Sequence, residues 1–191
     1  MSLQHLTWYY DSVGAIHAVG EVANGTNSTA DFVQMTANFY SASNQLLTTS
    51  FGYSCLNALG SGGVSPFDVL LVSPPAGVDH VTVYVSSYDS PPLLYAVPPG
   101  LSATIDSLYL DIGGVYHIVG TITNHSANTY SFVKACSAIY DSSGNVLREN
   151  SWYTTPDTLA SGQTGTYDSL EFSTSGLIVD HVKVWPDASY P

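Results

Sequence analysis

Residues Gly14–Thr26 read GAIHAVGEVANGT, and Gly114–Ser126 read GVYHIVGTITNHS. Gly14, His17, Val19, Gly20 and Asn24 return at Gly114, His117, Val119, Gly120 and Asn124. A fixed offset of this kind decides the architecture before any single motif, because a missed repeat mis-assigns the whole fold. The offset runs on without a gap. Thr29, Phe32 and Val33 match Thr129, Phe132 and Val133; Tyr40, Leu47 and Tyr53 match Tyr140, Leu147 and Tyr153. Leu59, Ser61, Gly62 and Asp68 match Leu159, Ser161, Gly162 and Asp168. One residue then slips in, so that Asp79-His80-Val81 aligns with Asp180-His181-Val182.

A period this long is a domain rather than a solenoid unit, since roughly 90 residues bury a single core and fold alone. The sequence therefore predicts a first β-sandwich domain over 1–88, a linker over 89–101 and a second domain over 102–191. Between the copies lies DSPPLLYAVPPG, Asp89 to Gly100. Its two Pro-Pro pairs fix φ and favour an extended, semi-rigid connector. Leu93, Leu94 and Tyr95 are too apolar for a free linker and are expected to pack against one or both domains.

Inside each copy the hydrophobic period is two. Val33, Met35, Ala37 and Phe39 alternate with Gln34, Thr36, Asn38 and Tyr40. Val133, Ala135, Ser137 and Ile139 alternate with Lys134, Cys136, Ala138 and Tyr140. This is the pattern of strands buried on one face, and no segment carries a capped helical stripe. Strands are expected near 6–11, 15–24, 31–41, 45–54, 64–72 and 80–87, and again about 100 residues later. Turns separate them: Gly144 in YDSSGNVL and Asn44 in YSASNQLL suit φ > 0 between two β-runs. The fold class is all-β, two tandem immunoglobulin-like antiparallel sandwiches of about six to seven strands each. The Cys…Trp…Cys spacing of true immunoglobulin domains is absent.

The second copy runs through a strand ending in V-G, then Asn, F-V-K, Y-D-x-x-G-x-V, an aromatic-Thr stretch and an aromatic-Asp. This order resembles the FxLYD-type domain, a small immunoglobulin-like module of bacterial and archaeal secreted and surface proteins. The first copy is similar but looser, with Ser41 for Asp141 and Asn44 for Gly144. The resemblance covers about sixty residues of each copy. It implies an extracytoplasmic, non-catalytic module and offers no catalytic residue.

The chain carries 15 acidic and 3 basic residues, a formal charge of −12. All three bases, Lys134, Arg148 and Lys183, lie in the second half. Nucleic-acid binding needs clustered Lys and Arg, so it is excluded, and anionic membranes are disfavoured on the same ground. No apolar run approaches the ~20 residues of a transmembrane helix. The start, MSLQHLTWYYDSVG, has neither a basic nor an apolar signal region. It is compatible with a fragment excised from a larger secreted protein. Cys55 and Cys136 face Thr155 and Thr36 in the repeat, and no C-x-x-C pair supports zinc. Two free thiols are expected, with one bridge between the halves as the alternative.

His17 and His117 recur in mid-strand, and His80 and His181 recur at the start of the last strand. A metal needs several convergent ligands. A His17–His80 pair with Asp11 or Asp79 is the conceivable set, against hydrogen-bonding or packing imidazoles as the expected role. Asp141–Asn145 fits a hairpin turn better than a calcium loop. Nothing in the sequence places a pair of acids across a cleft, as a glycosidase requires. Ser131-Phe-Val-Lys134 lacks the companion motifs of S-x-x-K chemistry, and Gly60–Gly63 lacks the helix of a phosphate loop. Neither a catalytic nor a metal residue nor a cofactor is therefore expected. Trp8 and Trp152 do not recur and are the candidates for stacking on sugar rings, whereas Tyr53 and Tyr153 recur and are read as structural. Sequons at Asn24, Asn27 and Asn124 are read as exposed and compatible with glycosylation.

The expectation is a non-catalytic, extracellular or cell-surface module for spacing, adhesion or binding of a protein or glycan partner. The alternative is a carbohydrate-binding module appended to a degradative enzyme.

Overall fold

The structure is a computed structural model that describes residues 1–172, 174 and 176–189. The last two residues of the expected second domain, 190 and 191, lie outside the described residues. The architecture is all-β. In the first repeat β1 (Ser2–Tyr10), β2 (Ile16–Ala23) and β6 (Val64–Leu71) form one antiparallel sheet, in the order β1-β2-β6. The facing sheet holds β3 (Ala30–Tyr40) between β4 (Leu46–Tyr53) and β7 (His80–Asp89), with the short β5 (Ala58–Leu59) also on β3. The second repeat lays down β8 (Leu101–Leu110), β9 (Tyr116–Asn124) and β12 (Thr164–Glu171) as one sheet. Its other sheet is β11 (Val146–Tyr153), β10 (Ser131–Tyr140) and β13 (His181–Ser189). Strands fall where the alternation places them; β1 starts earlier, at Ser2, because Met1 and Leu3 still pack on the first core.

Each repeat fills the space between its own two sheets. Ile16, Ala18, Val22, Val33, Met35, Phe39 and Phe67 make one core. Ile118, Ile122, Tyr130, Val133, Ala135, Ile139 and Leu159 make the other. A third cluster joins the halves: Val19 and Tyr9 from the first meet Ala138, Tyr140, Val146 and Trp185 from the second.

Strand β10 explains that junction. Its odd positions, Val133, Ala135 and Ile139, face the second core. Its even positions face the first half. Lys134 Nζ donates to the Cys55 carbonyl at 2.7 Å, Cys136 is bonded to Cys55, and the Tyr140 hydroxyl donates to Glu21 Oε1 at 2.5 Å. Burial on one face therefore describes β3, whose even side chains are half-buried, but not β10, which is buried on both. Alternation could not show this, because small and aromatic residues such as Ala138 and Tyr140 suit a second interface as well as a solvated face.

The cysteines correct an expectation. Cys55 and Cys136 form a disulfide across the halves, with Cα atoms 6.0 Å apart, and no cysteine is free. The bridge joins the segment just after β4 in one copy to mid-β10 in the other, so each copy supplies one Cys.

All three basic residues serve the junction. Lys183 Nζ lies 3.0 Å from Glu21 Oε1, and Lys134 Nζ lies 3.5 Å from Asp187 Oδ2. Asp187 also accepts from the Asn57 backbone N–H at 2.9 Å, across the halves. The Arg148 guanidinium lies 3.4 Å over the Tyr9 ring. The linker is held in its middle and near its C-terminal end: Leu94 and Tyr95 N–H groups donate to Asp31 Oδ2, and the Tyr130 hydroxyl donates to Pro99 O.

The recurring glycine and asparagine positions have mechanical reasons. A Cβ on Gly120 would lie 1.9 Å from Thr104 O, so β8 and β9 can approach only without a side chain there. Asn44 and Gly144 adopt φ of 59° and 82°, as their turns require. Asn24 and Asn124 are buried, and each side chain bridges the turn after its strand to Leu59 O or Leu159 O. The reading of these two as exposed glycosylation sites is thereby corrected; Asn27 is exposed.

Candidate functional site

A polar cavity lies at the junction of the halves and measures about 370 Å³. Tyr9, Asp11, His17 and Asp68 line it from the first half, and Arg148, Glu149, Asn150, Glu171 and Phe172 from the second. Register builds the first wall. Tyr9 lies opposite His17 on β1 and β2, and β6 brings Asp68 alongside, opposite Val19. The Tyr9 and His17 rings stack at 4.9 Å with 4° between their planes. His17 Nδ1 meets Asp68 Oδ2 at 2.5 Å, and Nε2 lies 3.6 Å from Asp11 Oδ2. Asp11 Oδ1 is fixed in turn by the Val13 and Ala15 N–H groups.

Electrostatics follow from this wiring. Burial draws the His17 imidazole down, but Asp68 and Asp11 outweigh it, so its pKa is raised overall. From the other wall, Glu171 is fully buried, and desolvation pushes it up to about 8. The hydrogen bond from Ser137 Oγ (2.7 Å) and the Arg148 charge oppose that rise only in part. Glu149 is also pushed well above the usual carboxylate range, by burial first and then by the charges of Asp68 and Glu171. Four carboxyl groups thus converge in one cavity, and burial raises the pKa of two of them, Glu149 and Glu171. Asp68 Oδ1 is buried there without a hydrogen-bond partner.

The full convergence is not legible in the sequence, because Asp68, Glu149 and Glu171 come from both copies. A partial signal was present: Tyr9, Asp11, His17 and Asp68 all recur together, at Tyr109, Asp111, His117 and Asp168. The second clamp has the same geometry. Tyr109 and His117 stack at 4.5 Å and 8°, His117 Nδ1 meets Asp168 at 2.9 Å, and Nε2 lies 3.6 Å from Asp111.

The conceived His17–His80 set is not assembled. His80 lies on β7, in the sheet facing that of His17, and stacks on Tyr40 at 5.2 Å while bonding Asp79. His181 repeats this with Tyr140 and Asp180. Among the described residues no group of three His, Cys, Asp or Glu is arranged to hold a metal. Asp141 caps its own hairpin through the Ser143 and Asn145 N–H groups.

The aromatic candidates sit apart. Trp8 is half-buried and packs against the first core, edge-on to Tyr10. Trp152 is partly exposed on the edge strand β11. The recurring aromatics are the more exposed: Phe32 41%, Tyr53 49%, Phe132 57% and Tyr153 60%. Phe32 meets Tyr53 edge-on at 6.4 Å, and Phe132 meets Tyr153 at 6.3 Å. Both phenylalanines have positive φ, 46° and 52°, at a break in strand register. That conformation is an outlier for a bulky residue and costs on the order of 1–3 kcal/mol.

Among the described residues no helix is long and apolar enough to cross a membrane. No protein-family model matches the chain. No curated protein matches it. Among solved structures the chain is similar to the crystal structure of Bacteroides uniformis beta-glucuronidase, at 10% identity and a TM-score of 0.25. The likeness covers 92% of this chain and 26% of that one, so the chain spans about a quarter of that structure's length. At that score it carries no argument.

Proposed function

We propose that the protein is a non-catalytic, extracytoplasmic tandem module for spacing, adhesion or partner binding. It comprises two β-sandwich domains, 1–88 and 102–191, joined by the linker 89–101. The observation that carries this reading is the junction. A disulfide, a buried Glu21 cluster and an Arg148–Tyr9 stack fasten one sandwich to the next. Disulfides persist in oxidising compartments, which supports an extracellular or cell-surface location. The polar cavity supports a structural role, because its ionisable groups are tied to one another: Asp68 and Asp11 are engaged by His17, and Glu171 by Ser137. Limited proteolysis without reductant tests it: cleavage confined to the ends supports a fastened module, whereas rapid cutting at 91–97 overturns it.

A second reading, a carbohydrate-binding module, is favoured by one observation. Both copies present an exposed Phe–Tyr edge pair on a strained backbone, and strain retained at the surface clusters where ligands bind. Tyr95 of the linker joins the first pair, 5.5 Å from Phe32. A glycan array separates the readings. Signal that disappears with Phe32→Ala and Phe132→Ala, but survives Trp8→Ala and Trp152→Ala, establishes the second; silence on every glycan leaves the first.

A further inference from the structure

The two Tyr–His–Asp–Asp clamps are built alike but used differently. In the first half the clamp is covered. Arg148, itself buried on edge strand β11, lies 3.4 Å over the Tyr9 ring, within the field of Asp68. In the second half the matching Tyr109 is exposed, and Asp168 is 47% exposed where Asp68 is 19%. The flanking strand adds apolar surface: Ile105, Leu108 and Leu110 on β8 are exposed, as is Ile112 just beyond it. Exposed apolar residues around a charged clamp are the composition of an interface.

We propose that Tyr109, His117, Asp168 and Asp111 on the β8-β9-β12 sheet form a docking socket for an arginine presented by the strand edge of a separate, basic β-sandwich partner. The occupied twin states the chemistry. A guanidinium stacks on a tyrosine face and takes the negative potential of an aspartate, Asp68, that a histidine holds in place. The interface within the chain is heterologous: one sheet of the second half covers a different sheet of the first. Heterologous contacts leave a complementary face open at each end. A second copy of this chain does not meet the requirement. The residue that corresponds to Arg148 in the first half is Thr48, and those for Lys134 and Lys183 are Gln34 and Thr82. All three basic side chains are already engaged at the internal junction. The occupant is therefore a separate β-sandwich that carries its own arginine. This deepens the partner-binding reading and rests on it, but it has its own readout.

The test uses the whole, oxidised chain and follows the Tyr109 and His117 ring signals by NMR. The probe is Nα-acetyl-arginine amide; its uncharged counterpart, Nα-acetyl-citrulline amide, is the control. The expected result is saturable shifts at Tyr109 and His117, in the millimolar range of weak single-residue contacts. Citrulline binds roughly tenfold more weakly, having lost the cation–π and ion-pair attraction. Tyr9 and His17 stay still, since Arg148 occupies their clamp. Tyr109→Ala and Asp168→Asn abolish the shifts, and Arg148→Ala makes Tyr9 and His17 respond to the same probe. Equal shifts with arginine and citrulline, no shift at His117, or concentration-dependent self-association through this face would each overturn the proposal. None of these outcomes bears on whether the two halves are fastened to each other.

Discussion

Replacing Glu171 by glutamine isolates a strongly perturbed carboxyl at the junction cavity. Glu171 is buried beside Ser137 and Ser169 and is pushed up to about 8 from an ordinary 4.5. For an acid raised on folding, the contribution to stability is fully present below the unfolded value. It is lost as pH rises through the folded one. Over that window, from about pH 4.5 to 8, the difference amounts to about 5 kcal/mol. In a chain of 191 residues this corresponds to roughly 10–20 °C of melting temperature. Glutamine keeps an acceptor for Ser137 and never ionises. Glu171→Gln should therefore match the parent at pH 5 and exceed it progressively towards pH 9. Urea denaturation midpoints at matched salt, read across that range, give the difference profile directly. Glu149 and His17 are also raised, so the parent keeps a residual slope of the same sign in the variant. The reasoning fails if the two profiles run parallel, because Glu171 would then ionise alike in the folded and unfolded chains.

Cys55→Ser should cost about 4–5 kcal/mol, the loop-closure effect of a bridge spanning 81 residues, seen as a drop of roughly 10–15 °C in melting temperature. Tyr140→Phe removes a charge-assisted hydrogen bond from the fully buried Glu21 and should cost about 2 kcal/mol in urea unfolding, without loss of β-structure by circular dichroism. Gly120→Ala should destabilise by about 3 kcal/mol or more, since its new methyl meets the Thr104 carbonyl. Gly20→Ala should cost about 1 kcal/mol, since the first atom it meets is the movable Leu6 Cδ2.

The architecture was legible because it is written twice. The alternation of Val33, Met35, Ala37 and Phe39 marks a strand from local physics, and its recurrence at Val133 marks the matching strand of the second repeat. What the sequence hid was the relation between the copies. Val19, Ala138 and Tyr140 carry the same residue types as a core or an exposed sheet, so their joint burial depends on which sheet faces which. The clustering of all three bases in one half was visible, yet read only as a charge asymmetry. Its meaning, that one copy reaches for the acids of the other, appears once Lys183 and Glu21 are seen together. Phe32 and Phe132 stand next to the inward Val33 and Val133, so the alternation already places them outward; what it does not show is their positive φ at a break in register.

The central claim is that the two repeats form one body. Amide residual dipolar couplings in a weakly aligning medium test it most directly, using β2 and β3 for the first half and β9 and β10 for the second. A single alignment tensor fitting both sets, with the disulfide intact, is the predicted result. Two tensors of different magnitude would show that the halves move independently and would contradict it.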